Sequence, residues 1–221
     1  MISIRLISLA SYVRYTDKII DIGCDHALLD IYLVKNNLVK KMIVSDIHEN
    51  ALAQGIANIT KEGLDEKIDA RLGNGLEVLT EKDSINTILI SGMGTTTILD
   101  ILNNPYLDKI DKLILQSNND HYLLREEVTK LGFQIKKEEY LIDNNKNYIN
   151  IVFERGEQKL SKNELRYGPI LIHNKNYLSF EYKNCEKILN LIPKNKFMIR
   201  YRLKREMRLI KKLIKSCDRV K

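Results

Sequence analysis

Short β-branched runs alternate with segments of helical period along the first 155 residues of this 221-residue chain. The runs are Lys18–Gly23, Lys41–Ile47, Ile68–Leu72, Thr87–Ser91, Lys112–Gln116, Phe133–Ile142 and Tyr148–Arg155. Helix-period segments separate the first five, among them His26–Asn36, Glu49–Lys61 and Thr95–Asn103, and Asp120–Leu131 precedes the sixth. Strand, helix, strand at this rhythm predicts a parallel sheet with helices on both faces. The last two runs break the rhythm. Only Asp143-Asn144-Asn145-Lys146-Asn147 lies between them, a turn sequence that pairs them antiparallel.

The length allows one such α/β domain and a small appendage, and the texture changes at Gly156. From there to Lys221 stand 18 Lys and Arg against 6 Asp and Glu, whereas residues 1–155 hold 18 against 23. The chain therefore divides into domains 1–155 and 156–221. The second reads as two helices, Asn174–Leu191 and Lys194–Cys217, broken at Ile192-Pro193, and so short a connection favours antiparallel packing. Ile188, Leu189, Leu191 and Ile192 are expected to face Ile199, Leu203, Met207, Ile210 and Ile214. An acidic front and a basic tail point to an anionic polymer as partner. A solvated basic helix pair is the plainer alternative.

Several classes are excluded. No apolar run reaches the roughly eighteen residues of a membrane span. Met1–Tyr15 carries Arg5 and Arg14 among apolar residues and no cleavage site follows, so it reads as an amphipathic helix rather than a signal peptide. Cys24, Cys185 and Cys217 form no CxxC pair and the four histidines have no ligand spacing. Neither a disulfide framework nor a metal site is expected, and a cytoplasmic location is.

Polar residues gather where the parallel strands end. Asp21-Ile22-Gly23-Cys24-Asp25-His26 turns the first strand into the first helix, where doubly wound folds approach a nucleotide. A dinucleotide fingerprint would have a second glycine where Asp25 stands, and a carboxylate there repels a pyrophosphate. S-adenosylmethionine has no phosphates and carries a sulfonium and an ammonium, so the charge favours it over NAD. Taken alone, Asp25 reads equally well as a helix N-cap. Asp46, 23 residues past Gly23, ends the second strand beside Ile47 and is placed to accept both ribose hydroxyls; it too has an N-cap alternative. In Gly73-Asn74-Gly75 the asparagine can reach an adenine amino group through its side-chain oxygen, an ordinary turn being the alternative. Ser91-Gly92-Met93-Gly94 ends the fourth strand, and its glycines let backbone approach a flat base, a tight strand-to-helix turn being the equal alternative. Gln116-Ser117-Asn118 ends the fifth and offers amide groups near the same cleft, a generic polar loop being the alternative.

Together, DIGCDHALLDIY (Asp21–Tyr32), GNGLEVL (Gly73–Leu79), ILISGMG (Ile88–Gly94) and LILQSN (Leu113–Asn118) resemble, in order, the motifs of the TrmK family of bacterial tRNA (adenine-N1)-methyltransferases. The resemblance covers essentially the whole chain. It implies a class I methyltransferase fold, an α/β Rossmann-like seven-stranded sheet with a C-terminal two-helix, coiled-coil-like domain. It also implies S-adenosylmethionine as cofactor and N1 of the adenine at tRNA position 22 as acceptor. On this resemblance Asp25 faces the target base and Asp46 holds the ribose. Asp21, Gly23, Ile47, Asn74, Gly75, Ser91 and Gly92 complete the expected cofactor site. His26, Met93, Gly94, Gln116 and Asn118 flank the acceptor. Arg200, Arg202, Lys204 and Arg205 of the tail are expected to hold tRNA, with the protein a monomer and no metal or membrane involved.

The chain departs from the family pattern at three points. Asn74 stands where the family has Asp, Thr95 where it has the last glycine of Gly-Met-Gly-Gly, and Ser117 where it has the proline of Gln-Pro-Asn. The tail is also shorter than is common. Rival readings are a non-catalytic RNA-binding protein that keeps the fold, a methyltransferase for another RNA base, and a nicotinamide oxidoreductase.

Overall fold

A computed structural model describes residues 2–218. Met1, which begins the expected first helix, and residues 219–221, which end the expected basic domain, lie outside them. The chain divides after Lys159 into two compact units, slightly beyond the change of charge at Gly156.

The first unit is one seven-stranded sheet: β1 (Ile19–Ile22), β2 (Met42–Asp46), β3 (Ile68–Leu72), β4 (Thr87–Met93), β5 (Lys112–Ser117), β6 (Phe133–Asp143) and β7 (Lys146–Arg155). Its spatial order is β3-β2-β1-β4-β5-β7-β6. The first five strands are parallel and β7 runs antiparallel between β5 and β6. Every residue of β1, β2 and β5 is buried, as a sheet covered on both faces requires. β1 has β2 on one side and β4 on the other, with Ile22 level with both Ser45 and Ile90. The strand order reverses there, and the crevice outside such a point is where open α/β sheets bind ligands.

Helices α1 (Ile4–Ala10), α2 (Leu28–Lys35), α3 (Glu49–Lys61), α4 (Thr95–Leu102) and α5 (His121–Lys130) accompany the sheet. The first is shorter than the amphipathic span suggests. Between β3 and β4 the expected helix-period segment is instead two 3₁₀ turns, Gly75–Val78 and Glu81–Asp83. Arg71 explains the difference: its guanidinium binds the Val78 carbonyl (2.9 Å) and both oxygens of Asp83, which draws the connection tightly against β3. The hairpin of β6 and β7 is also tighter than expected. Asp143 pairs with Lys146, and Asn144 and Asn145 between them have φ of 48° and 61°, the mirror-image turn that matches strand twist.

The second unit has α6 (Lys162–Tyr167), α7 (Lys175–Leu191) and α8 (Phe197–Cys217). Lys175 at the start of α7 pairs with Asp218 just past the end of α8 (2.7 Å), so the two long helices are antiparallel as expected. The buried side chains are Leu165, Tyr167, Leu171, Ile172, Tyr177, Leu178 and Cys185, with Met207 and Ile210 of α8. Of the expected seam, Ile188, Leu191 and Ile199 stay outside the buried core. All three are exposed, at the end of the helix pair nearest its turn.

One ion pair of the first unit is wholly buried. Arg125 of α5 donates from Nε to Oε1 of Glu138 on β6 (2.7 Å), with both side chains inaccessible to solvent. Removing one member strands a charge in the interior. Arg125→Met should cost about 3–5 kcal/mol in urea unfolding, and adding Glu138→Met should recover most of the loss. A double variant as unstable as the single would mean that packing, not charge, dominates there.

Candidate functional site

The C-terminal ends of β1, β2 and β4 open on a cavity of about 950 Å³ at the switch point of the sheet. Its wall includes most of the strand-end residues singled out from the sequence: Asp21, Gly23, Asp25, His26, Asp46, Ile47, Asn74, Gly75, Ser91, Gly92 and Met93. Gly94, Gln116 and Asn118 stand outside that wall.

The turn after β1 is bound to the neighbouring strand end. The N–H groups of Gly23 and Cys24 donate to the Ser45 carbonyl (2.8 and 3.2 Å), and that of Asp25 donates to Oδ2 of Asp46 (3.4 Å). Gly23 has φ of 78°, a conformation that favours glycine, and the flexible end of the Met93 side chain lies directly over it. Asp25 and Ala27 also take left-handed backbone angles, at 48° and 54°. Such angles in side-chain-bearing residues persist only where surroundings enforce them, and they collect at sites of function. The N-cap alternative for Asp25 is overturned: Ala27 occupies that position without a side-chain cap, and the Asp25 carboxylate is exposed toward the cavity mouth, 3.7 Å from Nε2 of His26. Gly55 lets α3 approach this turn, since a Cβ there would sit 3.0 Å from the Asp25 carbonyl oxygen.

Asp46 is buried, with Oδ1 accepting from the His48 N–H (2.8 Å) and Oδ2 from that of Asp25. The N-cap position of α3 is His48, not Asp46. Each carboxylate oxygen keeps a second lone pair, which is what a ribose diol needs. Asn74 donates from Nδ2 to Glu77 Oε1 (3.1 Å), which leaves its Oδ1 as the free acceptor.

The fourth strand ends in a bulge between Ser91 and Met93, with Gly92 at φ of 81°. Gln116 stands behind this turn rather than in the cleft. Its side chain is wholly buried. Oε1 accepts from the Gly92 N–H (3.1 Å) and from Arg5 (2.8 Å), and Nε2 donates to the Ser117 carbonyl and Asn118 Oδ1. Asn118 in turn donates to the Gly92 and Met93 carbonyls. Both residues fix the turn from behind. Thr95 and Ser117, two of the three departures from the family pattern, hydrogen-bond each other through their hydroxyls at 2.8 Å, both buried. The expected tail residues divide as well. Arg202, Lys204 and Arg205 are exposed, whereas Arg200 donates to the Leu189 and Ile192 carbonyls (2.8 and 2.6 Å) and caps the end of α7. Capping, not an open cationic surface, accounts for Arg200.

Arg5 is a site residue that sequence reasoning missed, as are the wall carboxylates Glu77 and Asp100. It reaches the cavity from α1, hydrogen-bonded to Gln116 and 5.3 Å from the centre of the Tyr148 ring, and it is the only Lys or Arg in a wall that holds five carboxylates. Its signal was a charge on the apolar face of the N-terminal segment. Asp30 was missed too. It lies fully buried next to Asp21, and neither of its oxygens meets a hydrogen-bond donor. Burial pushes the Asp30 carboxyl up to about 7. Burial, reinforced by the charge of Asp30, raises Asp21 well above the usual carboxylate range, while Arg5 pulls it down. Two carboxylates offer each other no donor, so the pair is stable only when one proton is shared.

Groups whose acidity is weakened by folding stabilise the native state in acid, and that contribution is lost as pH rises from about 4 through about 7. Asp30→Asn should therefore raise the melting midpoint by about 3–6 °C at pH 8 and leave it nearly unchanged near pH 4. Equal shifts at both pH values would show that the pair does not share a proton.

An open sheet of this order, with an acid-lined cavity at its switch point and no phosphate-binding glycine turn, defines a Rossmann-like class I methyltransferase. The model of the tRNA (adenine(22)-N(1))-methyltransferase family, TrmK, matches residues 19–216, and the chain belongs to this family. It is 31% identical over 183 residues to the tRNA (adenine(22)-N(1))-methyltransferase of Bacillus subtilis, a match covering 79% of this chain and 76% of that protein. Among solved structures it resembles Mycoplasma capricolum TrmK in complex with S-adenosyl-homocysteine, at 32% identity with a TM-score of 0.84 over 97% of this chain and 98% of that one. It also resembles the B. subtilis m1A22 tRNA methyltransferase TrmK, at 27% identity with a TM-score of 0.81 over 97% and 99% of the two chains.

Proposed function

We propose that this chain methylates N1 of adenine 22 in tRNA, with S-adenosylmethionine bound in the strand-end cavity and Asp25 at the acceptor. The observation that carries the reading is the charge of the cavity wall: five carboxylates and one guanidinium. S-adenosylmethionine is the inverse of that wall, with a sulfonium, an ammonium and a single carboxylate. The NAD alternative would bring a pyrophosphate against Asp21, Asp25 and Asp46.

When bound, the cofactor supplies a methyl group already activated on sulfur. The protein's own part is positioning and charge. Asp46 accepts the two ribose hydroxyls and Oδ1 of Asn74 the adenine amino group. Asp21 receives the ammonium and Arg5, the one guanidinium of the wall, receives the carboxylate. At the mouth, Asp25 accepts a hydrogen bond from the exocyclic amino group of the target adenine. That bond pushes electron density toward N1, which attacks the methyl carbon as the carbon–sulfur bond breaks, and the carboxylate offsets the positive charge left on the base. N1 lies on the pairing edge, so the adenine must leave its helix to reach the cavity. In the second unit, Arg202, Arg205, Arg208 and Lys212 line a groove suited to the RNA backbone. Three free cysteines suit the reducing cytoplasm. No group of metal-ligating side chains is present among the described residues, and no helix there is long and apolar enough to cross a membrane.

Chemistry and binding should separate by residue. Asp25→Ala should slow single-turnover methylation about a hundredfold with tRNA binding intact, whereas Asp46→Ala should weaken S-adenosylmethionine binding at least about tenfold in calorimetry. A near-normal single-turnover rate in Asp25→Ala would remove that residue from the chemistry.

Arg5 is tested with the cofactor's own chemistry. Arg5→Ala should weaken S-adenosylmethionine binding about tenfold or more, yet change binding of its decarboxylated form by less than about twofold. Equal losses for both ligands would reduce Arg5 to a support for Gln116.

A further inference from the structure

Apolar side chains stand in solvent at the turn between α7 and α8. Phe197 is 75% exposed and Tyr201 59%, with Leu191 and Met198 also exposed close by in sequence. A lone exposed apolar residue needs no explanation, but two aromatics four apart share one face of a helix and form a patch. The buried stripe of α8 runs through Met207 and Ile210. At about 100° per residue, Phe197 and Tyr201 lie away from that stripe, and Lys204, Arg205, Arg208 and Lys212 continue along the same outer face. Arg205, Arg208 and Lys212 line the groove of this unit, about 770 Å³, together with Arg202 and Asn163. Its one carboxylate, Glu206, is already engaged by Arg166 and the Tyr167 hydroxyl. The outer face of α8 is thus an aromatic pair at the head of a cationic track.

We propose that Phe197 and Tyr201 are a stacking platform for unpaired nucleobases of the bound tRNA, at the head of the track that holds its backbone. This rests on the reading that the second unit binds tRNA. Every base has a π-face, so aromatic side chains beside a cationic groove bind single-stranded nucleotides with little regard to sequence. The charge argues against a second copy of the chain as occupant, because two such faces would bring their cationic tracks together. A polyanion with exposed bases satisfies both parts of the face at once.

Stacking and phosphate contacts respond differently to salt, which makes the proposal testable on the full-length protein with unmodified tRNA transcript. The double variant Phe197→Ala/Tyr201→Ala should weaken binding about ten- to a hundredfold at every KCl concentration, with the slope of log affinity against log salt unchanged. The swap Phe197→Tyr/Tyr201→Phe should keep parental affinity. Arg202→Glu/Arg205→Glu/Arg208→Glu should instead lower the magnitude of the slope. The chain has no tryptophan, so Phe197→Trp provides a single reporter. Its emission should change on adding tRNA and stay constant with heparin, which carries the charge without bases. Parental affinity in the double alanine variant overturns the platform, as does a tryptophan signal identical with tRNA and heparin. If the parent is a dimer that the alanine variant dissociates while tRNA affinity stands, the face is an interface between copies and the proposal falls. An unchanged salt slope in the arginine variants counts against the cationic track alone, and the tryptophan signal then decides the platform separately.

Discussion

Asp46 is the residue on which the geometry of the site depends. Its carboxylate ties together two backbone segments that the sheet brings near but does not itself join: the turn after β1, through the Asp25 N–H, and the entry to α3, through the His48 N–H. A charged acceptor makes a stronger bond to a backbone N–H than a neutral one, and burial at a strand end strengthens it further. With the Gly23 and Cys24 bonds to the Ser45 carbonyl and the Ala27 bond to the Cys24 carbonyl, that tie holds Asp25 in its left-handed conformation. The same two oxygens then remain available to a diol. Asp46 thus orders the strand-end turn while its carboxylate still faces the cavity.

Charge in the cavity follows from the same economy. Asp21, Asp25, Asp46, Glu77 and Asp100 converge with only Arg5 to oppose them. A cluster of that kind is unfavourable in an empty site and complementary in one that receives two positive charges. The shared proton of Asp21 and Asp30 is how the deepest part of the cluster is tolerated.

Two of the three expected departures from the family pattern, Thr95 and Ser117, make physical sense as a pair. Thr95 in place of glycine and Ser117 in place of proline meet in a buried hydroxyl–hydroxyl bond, and both hydroxyls also contact the Asn119 carbonyl. The rigidity that a proline supplies through its ring is supplied here by a small hydrogen-bonded network between the ends of β4 and β5. Gln116 completes it from behind, which explains why a residue read as facing the acceptor is instead fully enclosed.

Local order in the sequence determined much of this protein. Strand and helix identities follow from residue period, and the turn at Asn144-Asn145 from the tolerance of asparagine for positive φ. The strand-end placement of Asp21, Asp46 and Asn74 follows from topology, because consecutive parallel strands must all end on the same side. Tertiary structure alone decided the rest. Arg5 belongs to the cavity only because α1 folds over the sheet to meet Gln116, 111 residues away. Asp30 becomes a perturbed acid only because α2 buries it beside Asp21, and Arg200 becomes a helix cap only because the α7 carbonyls end within its reach. The first unit's missing helix between β3 and β4 has the same origin, in the grip of Arg71 on Asp83. Each of these depends on contacts between side chains and groups that the fold brings together or on burial, and neither is written in the period or spacing of the residues themselves.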